Sequence, residues 1–211
     1  MDAGEFTATV REECERELDR LGSEKALVAA TAAQLDREHV LASAARTELR
    51  AVGTFESWAA SESAEAARAA FVGAAERERE HADRVVALLD EGAEPEPDAD
   101  PLHEYLRGLD STAERVAAGM VGRPMVTDRT LLQTINFFVN ESDERTADRF
   151  RELRGETRET IEEGARLLEE VCEGDDDWER AEAAAVEVVE RAYEEYAETL
   201  EGMGVDPRPV C

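Results

Sequence analysis

The chain has 211 residues, 52 of them acidic and 24 basic, for a formal net charge of −28. That length suffices for one domain with a real core, while so acidic a surface repels phosphates and anionic lipids and weighs against direct nucleic-acid or membrane partners. No apolar run is long enough to cross a bilayer and no charged-then-apolar leader opens the sequence, so a cytoplasmic protein is expected.

Cys14, Cys172 and Cys211 are far apart, odd in number and never in a CxxC pair. This fits a reducing compartment and argues against a disulfide framework or a cysteine-held metal. Lys25 is the only lysine. In molar salt the Debye length falls to about 3 Å and self-repulsion is screened, so the composition predicts folding that depends on salt. The residue choice resembles that of proteins from extreme halophiles.

Ala, Glu, Leu and Arg dominate, and no stretch alternates β-branched with polar residues, so the expected fold is all-α. Helices are expected near 4–21, 24–33, 36–60, 63–91, 101–121, 127–140, 143–173 and 176–202. Asp36 is the expected cap of the third, with Leu35 as a hydrophobic staple, and Ser63 the cap of the fourth. Asp100 followed by Pro101 reads as a cap with proline at the first helical position. Thr127 or Asp128 opens the next helix, and Gly174 divides the last two. The short link at 61–63 makes 36–60 and 63–91 an antiparallel hairpin. Pro95, Pro97 and Pro101 bracket an acidic linker, 92–100, read as part of a crossover, 92–126, within a single domain.

Two apolar stripes carry polar interruptions. In the fourth helix, Phe71, Ala74, Glu78, His81, Val85 and Leu88 share one face, so Glu78 and His81 occupy core positions. Arg77, Arg79, Glu80 and Arg84 fall off that face. In the third helix, Leu41, Ala45, Glu48, Val52, Phe55 and Ala59 share a face, interrupted by Glu48. Folding the hairpin brings Glu48 level with Glu78 to within about one turn. A buried unpaired carboxylate is costly and must be paired, protonated or metal-bound. Two readings are open: three ligands of a divalent transition metal, or a Glu–His hydrogen-bonded pair in a wet cavity.

One Glu in a helix and Glu-x-x-His in the next resembles the half-site of ferritin-like bundles. The stretch "AAFVGAAEREREHADRVVALLDE" resembles the second helix of rubrerythrins. The resemblance implies a ferritin-like bundle of two hairpins and a di-iron site used in peroxide reduction, with Glu48, Glu78 and His81 as metal ligands.

An offset of 79 residues aligns "ESAEAARAAF" (62–71) with "ESDERTADRF" (141–150) without a gap. The expected architecture is therefore two duplicated antiparallel hairpins, 36–91 and 127–173, with added helices at 4–33 and 176–202. In this register Glu48 falls on Thr127, Glu78 on Thr157 and His81 on Thr160. A buried helical threonine satisfies its hydroxyl on the preceding turn and is a poor ligand, so at most a degenerate site with one Fe or Zn ion is expected. Glu156 and Glu159 lie beside the second stripe and could reach inward.

His39 and His103 read as surface or capping residues, and Trp58 and Trp178 as packing anchors. "NFFV", 136–139, reads as core. Cys14 and Cys172 read as small apolar residues, and the terminal Cys211 as an accessible thiol with nothing basic beside it. Three functions follow as expectations. One is a rubrerythrin-like protein with a single degenerate metal site. Another is a bundle without catalysis, acting as regulator or scaffold through protein partners or as an oligomer. The third is a small-molecule binder using the polar core.

Overall fold

The computed structural model describes residues 1–90, 92, 95–97 and 100–208. Parts of the acidic linker and the thiol of Cys211 lie outside them. Among the described residues the regular structure is entirely helical, as the composition predicts.

The first two helices, α1 (Ala3–Glu13) and α2 (Glu15–Leu21), run nearly end to end. Backbone hydrogen bonds pass through Cys14 from Val10 to Leu18, which is why one helix was expected there. Next comes α3 (Lys25–Ala30), then α4 (Arg37–Ser61) and α5 (Glu65–Val86). Asp36 caps α4 by accepting from the His39 N–H. Leu35 stands 49% exposed and is no staple. Ser63 is not the cap of α5. The Glu62 carboxylate instead accepts from the N–H groups of Ser63 and Ala64 and closes the hairpin turn.

The single helix expected at 101–121 is divided. Asp100 caps α6 (Pro101–Arg107) as expected, and the chain breaks at Gly108. Ser111 then opens α7 (Thr112–Ala117) with a reciprocal capping box to Glu114. That Ser-x-x-Glu signature was present in the sequence.

Helix α7 does not stop before the next element. A π segment, Ala118–Gly122, joins it to α8 (Arg123–Asn140), so α8 starts four residues before Thr127. Pro124 is the physical reason. It has no N–H to donate and its ring crowds the carbonyl four residues back, so an α ladder cannot pass through it intact. The wider π turn carries the chain across, with the Arg123 N–H donating to the Ala118 carbonyl. Asp143 caps α9 (Glu144–Val171), and Gly174 precedes α10 (Asp175–Gly202).

Helices α4 and α5 pack along their lengths as one hairpin, and α8 and α9 as another. Helix α10 lies against α7, the π segment and α8, and α1 lies against α9 and α10. Close approach at the π segment needs glycine. A Cβ on Gly122 would sit 2.6 Å from the Ala185 carbonyl oxygen of α10, and one on Gly164 would sit 2.6 Å from the Met120 Cβ.

The apolar core is in two parts. Phe55, Trp58, Phe71, Met125, Ile161 and Ala165 belong to the larger, together with most of the buried face of α10. Leu41, Ala45, Val85, Leu131, Phe150 and Leu153 belong to the smaller. Each of α4, α5, α8 and α9 thus crosses from one cluster to the other. At each crossing stand buried polar residues: Glu48, then Glu78 and His81, then Thr127, then Thr157 and Thr160. A polar layer divides the core, and it holds the three candidate ligands and the three threonines aligned with them.

Within "NFFV" the helical period separates the residues. Phe138 is buried, stacked 5.6 Å from Phe150, whereas Val139 is exposed. Four consecutive positions of a helix cannot all face one core.

A candidate metal site in the polar layer

Glu48 is 2% exposed, Glu78 5% and His81 2%. Each supplies one ligand atom, and those atoms lie within 4.8 Å of one another. The two stripes and the short hairpin link bring this about. Helix α4 delivers Glu48 one step beyond Ala45, and α5 delivers Glu78 and His81 one turn apart on its inner face.

The state of His81 follows from its partners. Its Nε2 lies 2.7 Å from Oε2 of Glu156. The Arg84 guanidinium, also bonded to Glu156, holds that carboxyl down at about 2. An ionised carboxylate only accepts, so Nε2 carries the proton and donates it. Burial lowers the pKa of His81, which keeps the ring neutral. The lone pair of Nδ1 therefore faces the layer, 3.8 Å from Oε2 of Glu48. That oxygen is buried and has no hydrogen-bond partner among the described residues.

Glu78 is ion-paired with Arg123, which enters from the start of α8. Burial pushes the Glu78 pKa up to about 8; Arg123 pulls it down and the neighbouring Glu48 pushes it up. Below that pH a shared proton relieves the repulsion between the two carboxylates. Arg123 is itself only 4% exposed, over the face of Phe55 at 5.6 Å. Its Nε and Nη1 have no partner among the described residues. A buried unsatisfied donor costs about 1–3 kcal/mol, so this arginine is an expensive feature of the fold.

The threonines behave as their residue type dictates. Thr127 donates to the Arg123 carbonyl at 3.2 Å, Thr157 to Leu153 at 2.9 Å, and Thr160 to Glu156 at 3.2 Å. Thr160 also accepts from Arg77 at 2.7 Å. Arg77 and Arg84, which fall beside the α5 stripe, reach across to α9 and pair with Glu163 and Glu156.

Three further side chains take part in the layer or stand beside it, none of them among the expected ligands. Glu156 turns inward from beside the α9 stripe, while Glu159 stays exposed. Arg123 was overlooked because only the π segment brings it into the core. His103 is no surface residue: it is 4% exposed, with Nδ1 2.8 Å from the Thr54 hydroxyl. Burial, then the positive charges of Arg123, Arg50 and Arg107, lower its pKa to about 3. Its spacing of three from the buried Leu106 was the available signal.

His39 is half-buried near the start of α4, with its ring on Asp36 at 2.9 Å. Trp58 and Trp178 pack in the larger core beside Phe71 and Phe6. Cys14 is fully buried, and burial raises its thiol to about 12.

The layer passes the test for one divalent ion and fails it for two. For the first, two carboxylates and an imidazole present a bare lone pair and an unpartnered oxygen to a common point. The Glu156 hydrogen bond to the far ring nitrogen is the outer-shell arrangement that orients a metal-binding histidine. For the second, the matching positions are threonines whose hydroxyl protons are already committed to backbone carbonyls. Among the described residues no helix is long and apolar enough to cross a membrane. Protein-family models, curated proteins and solved structures were compared with the chain, and none matches it.

Proposed function

We propose that the chain is a rubrerythrin-like, ferritin-like bundle that keeps one metal position and has lost the second. Glu48, Glu78 and His81 hold a single Zn²⁺ or Fe²⁺ ion. The observation that carries this reading is the 3.8 Å approach of the His81 Nδ1 lone pair to the unpartnered Oε2 of Glu48, both residues being buried. Two facing acceptors at that distance repel unless a cation or a proton joins them.

A bound ion would supply a Lewis-acidic centre, or with iron a one-electron centre, inside the core. The chain's own residues set the stage for it. Glu156 fixes the His81 tautomer, Arg84 keeps Glu156 ionised, and Arg123 holds Glu78 in place. With Thr127, Thr157 and Thr160 in the matching positions, peroxide reduction by a two-iron centre is not the activity these residues support.

Titration of metal-stripped protein with Co²⁺, read by its visible absorption, tests the assignment. One equivalent is expected for the wild type and none for Glu78→Gln. Two equivalents would overturn the single-site reading, and no binding would overturn the metal reading altogether. A second reading, small-molecule binding, has its own support in a cavity lined by Glu48 and Arg123.

A further inference from the structure

Beside the polar layer lies a cavity of about 290 Å³, walled by α3, α4, α6, α8 and α10. Its lining is mixed. Leu27, Val40 and Leu131 belong to the apolar part of the lining, whereas Arg46, Arg50 and Arg123 belong to the polar part. Three of 24 basic residues thus line one cavity, in a chain with 52 acids. A concave site that is mostly apolar, with a few convergent polar groups, is the general form of a small-molecule pocket.

The arginines are not equivalent. Arg50 is paired with Asp100 at 2.7 Å. Arg123 has one nitrogen on Glu78 and two, Nε and Nη1, with no hydrogen-bond partner among the described residues. Arg46 is half-buried and makes no ion pair or side-chain hydrogen bond among the described residues. The polar lining therefore includes arginine donors without partners among the described residues, but it also includes Glu48 and Asp100. Those carboxylates oppose a dianion. A ligand with one negative charge and an apolar body satisfies both kinds of lining.

We propose that this cavity binds a small aliphatic monocarboxylate, with its carboxylate on Arg123 and its tail among Leu27, Val40 and Leu131. Arg46 draws the anion in from the rim. Taking about 30 Å³ for a water-sized group, the space holds about ten non-hydrogen atoms, the size of octanoate. The inference does not depend on a metal ion. Neither Leu27, Val40, Leu131 nor Arg46 belongs to the candidate ligand set.

Calorimetric titration of metal-stripped protein with acetate, butanoate, hexanoate, octanoate and dodecanoate, in one salt concentration, tests it. Affinity should climb through octanoate and fall for dodecanoate. Octanol should bind at least tenfold more weakly than octanoate, and Arg123→Gln should weaken octanoate by a similar factor. Should that variant not fold, Arg46→Gln and the cavity-filling Ala44→Phe serve instead; each should weaken octanoate, the second abolishing it. No binding by any member, or octanol equal to octanoate, would overturn the proposal. Tighter binding of octyl phosphate than of octanoate would also overturn it, in favour of a dianion site. Co²⁺ titration of the same preparation is a separate readout, so failure here and failure of the metal reading are told apart.

Discussion

The Nδ1 atom of His81 and the Oε2 atom of Glu48 face each other at 3.8 Å inside the bundle, and the proton that would join them is on the other side of the ring. Glu156 put it there. A residue on the opposite hairpin thus decides which face of His81 is a donor and which is a lone pair.

Replacing Glu156 with Gln tests this control. A neutral amide removes the charge that favours Nε2–H and weakens the orientation of the ring. Loss of such an outer-shell partner costs about 10–100-fold in metal affinity. Co²⁺ affinity of Glu156→Gln should fall within that range with the stoichiometry unchanged. Unchanged affinity would show that the ring needs no support from α9.

Glu78 sets a pH dependence of stability. In the unfolded chain its carboxyl loses its proton near the ordinary 4.3, whereas in the fold it does so near 8. Between those values the folded state binds the extra proton, so this group's contribution to stability falls as pH rises from about 5 to 8. One proton sets a ceiling of about 1.4 kcal/mol per pH unit. Urea unfolding of metal-free protein should show the decline, and Glu78→Gln should flatten it. Because a metal displaces that proton, Co²⁺ affinity should rise over the same window.

His103 acts in the opposite sense. It is neutral in the fold down to about 3, while the unfolded chain takes up the proton near the ordinary 6.5. The unfolded state binds more protons between these values, so stability is lost as pH falls below about 6.5. The variant His103→Gln should lose less stability than wild type between pH 6.5 and 4.5, measured by urea unfolding. An identical acid limb in the two proteins would show that His103 is protonated in the fold.

Gly122 and Gly164 hold the π segment against α10 and α9. A Cβ at Gly122 meets backbone, the Ala185 carbonyl oxygen at 2.6 Å, which cannot swing aside. Overpacking of this kind costs about 1–3 kcal/mol. Gly122→Ala should lower the unfolding free energy by that amount, whereas Gly155→Ala, with nothing within 4 Å of its Cβ, should not lower it. Equal effects at the two sites would refute the close-packing argument.

A net charge of −28 predicts loosening at low ionic strength. Circular dichroism from molar salt to tens of millimolar should show falling helicity and melting temperature. Flat curves would show that the ion pairs across the surface suffice without screening.

The sequence by itself determined that the fold is helical and which faces of α4, α5 and α9 are buried. The stripes through Glu48, through Glu78 and His81, and through Thr157 and Thr160 are buried at the ligand positions because a 3.6-residue period dictates which residues share a side. The cap at Asp36 and the Asp100–Pro101 start were legible for the same local reason: their partners lie within three residues. What only the tertiary structure decided is how the layer is completed. Arg123 enters the core because Pro124 forces a π turn, and nothing local reports which way a helix faces after that turn. Glu156 turns inward because His81 and Arg84 stand opposite it on another helix. His103 is buried because α6 packs on α4, beside Thr54. Periodicity specifies a face; it does not specify the partner that a long charged side chain at the edge of that face will reach, since that depends on charges brought close only when distant segments pack.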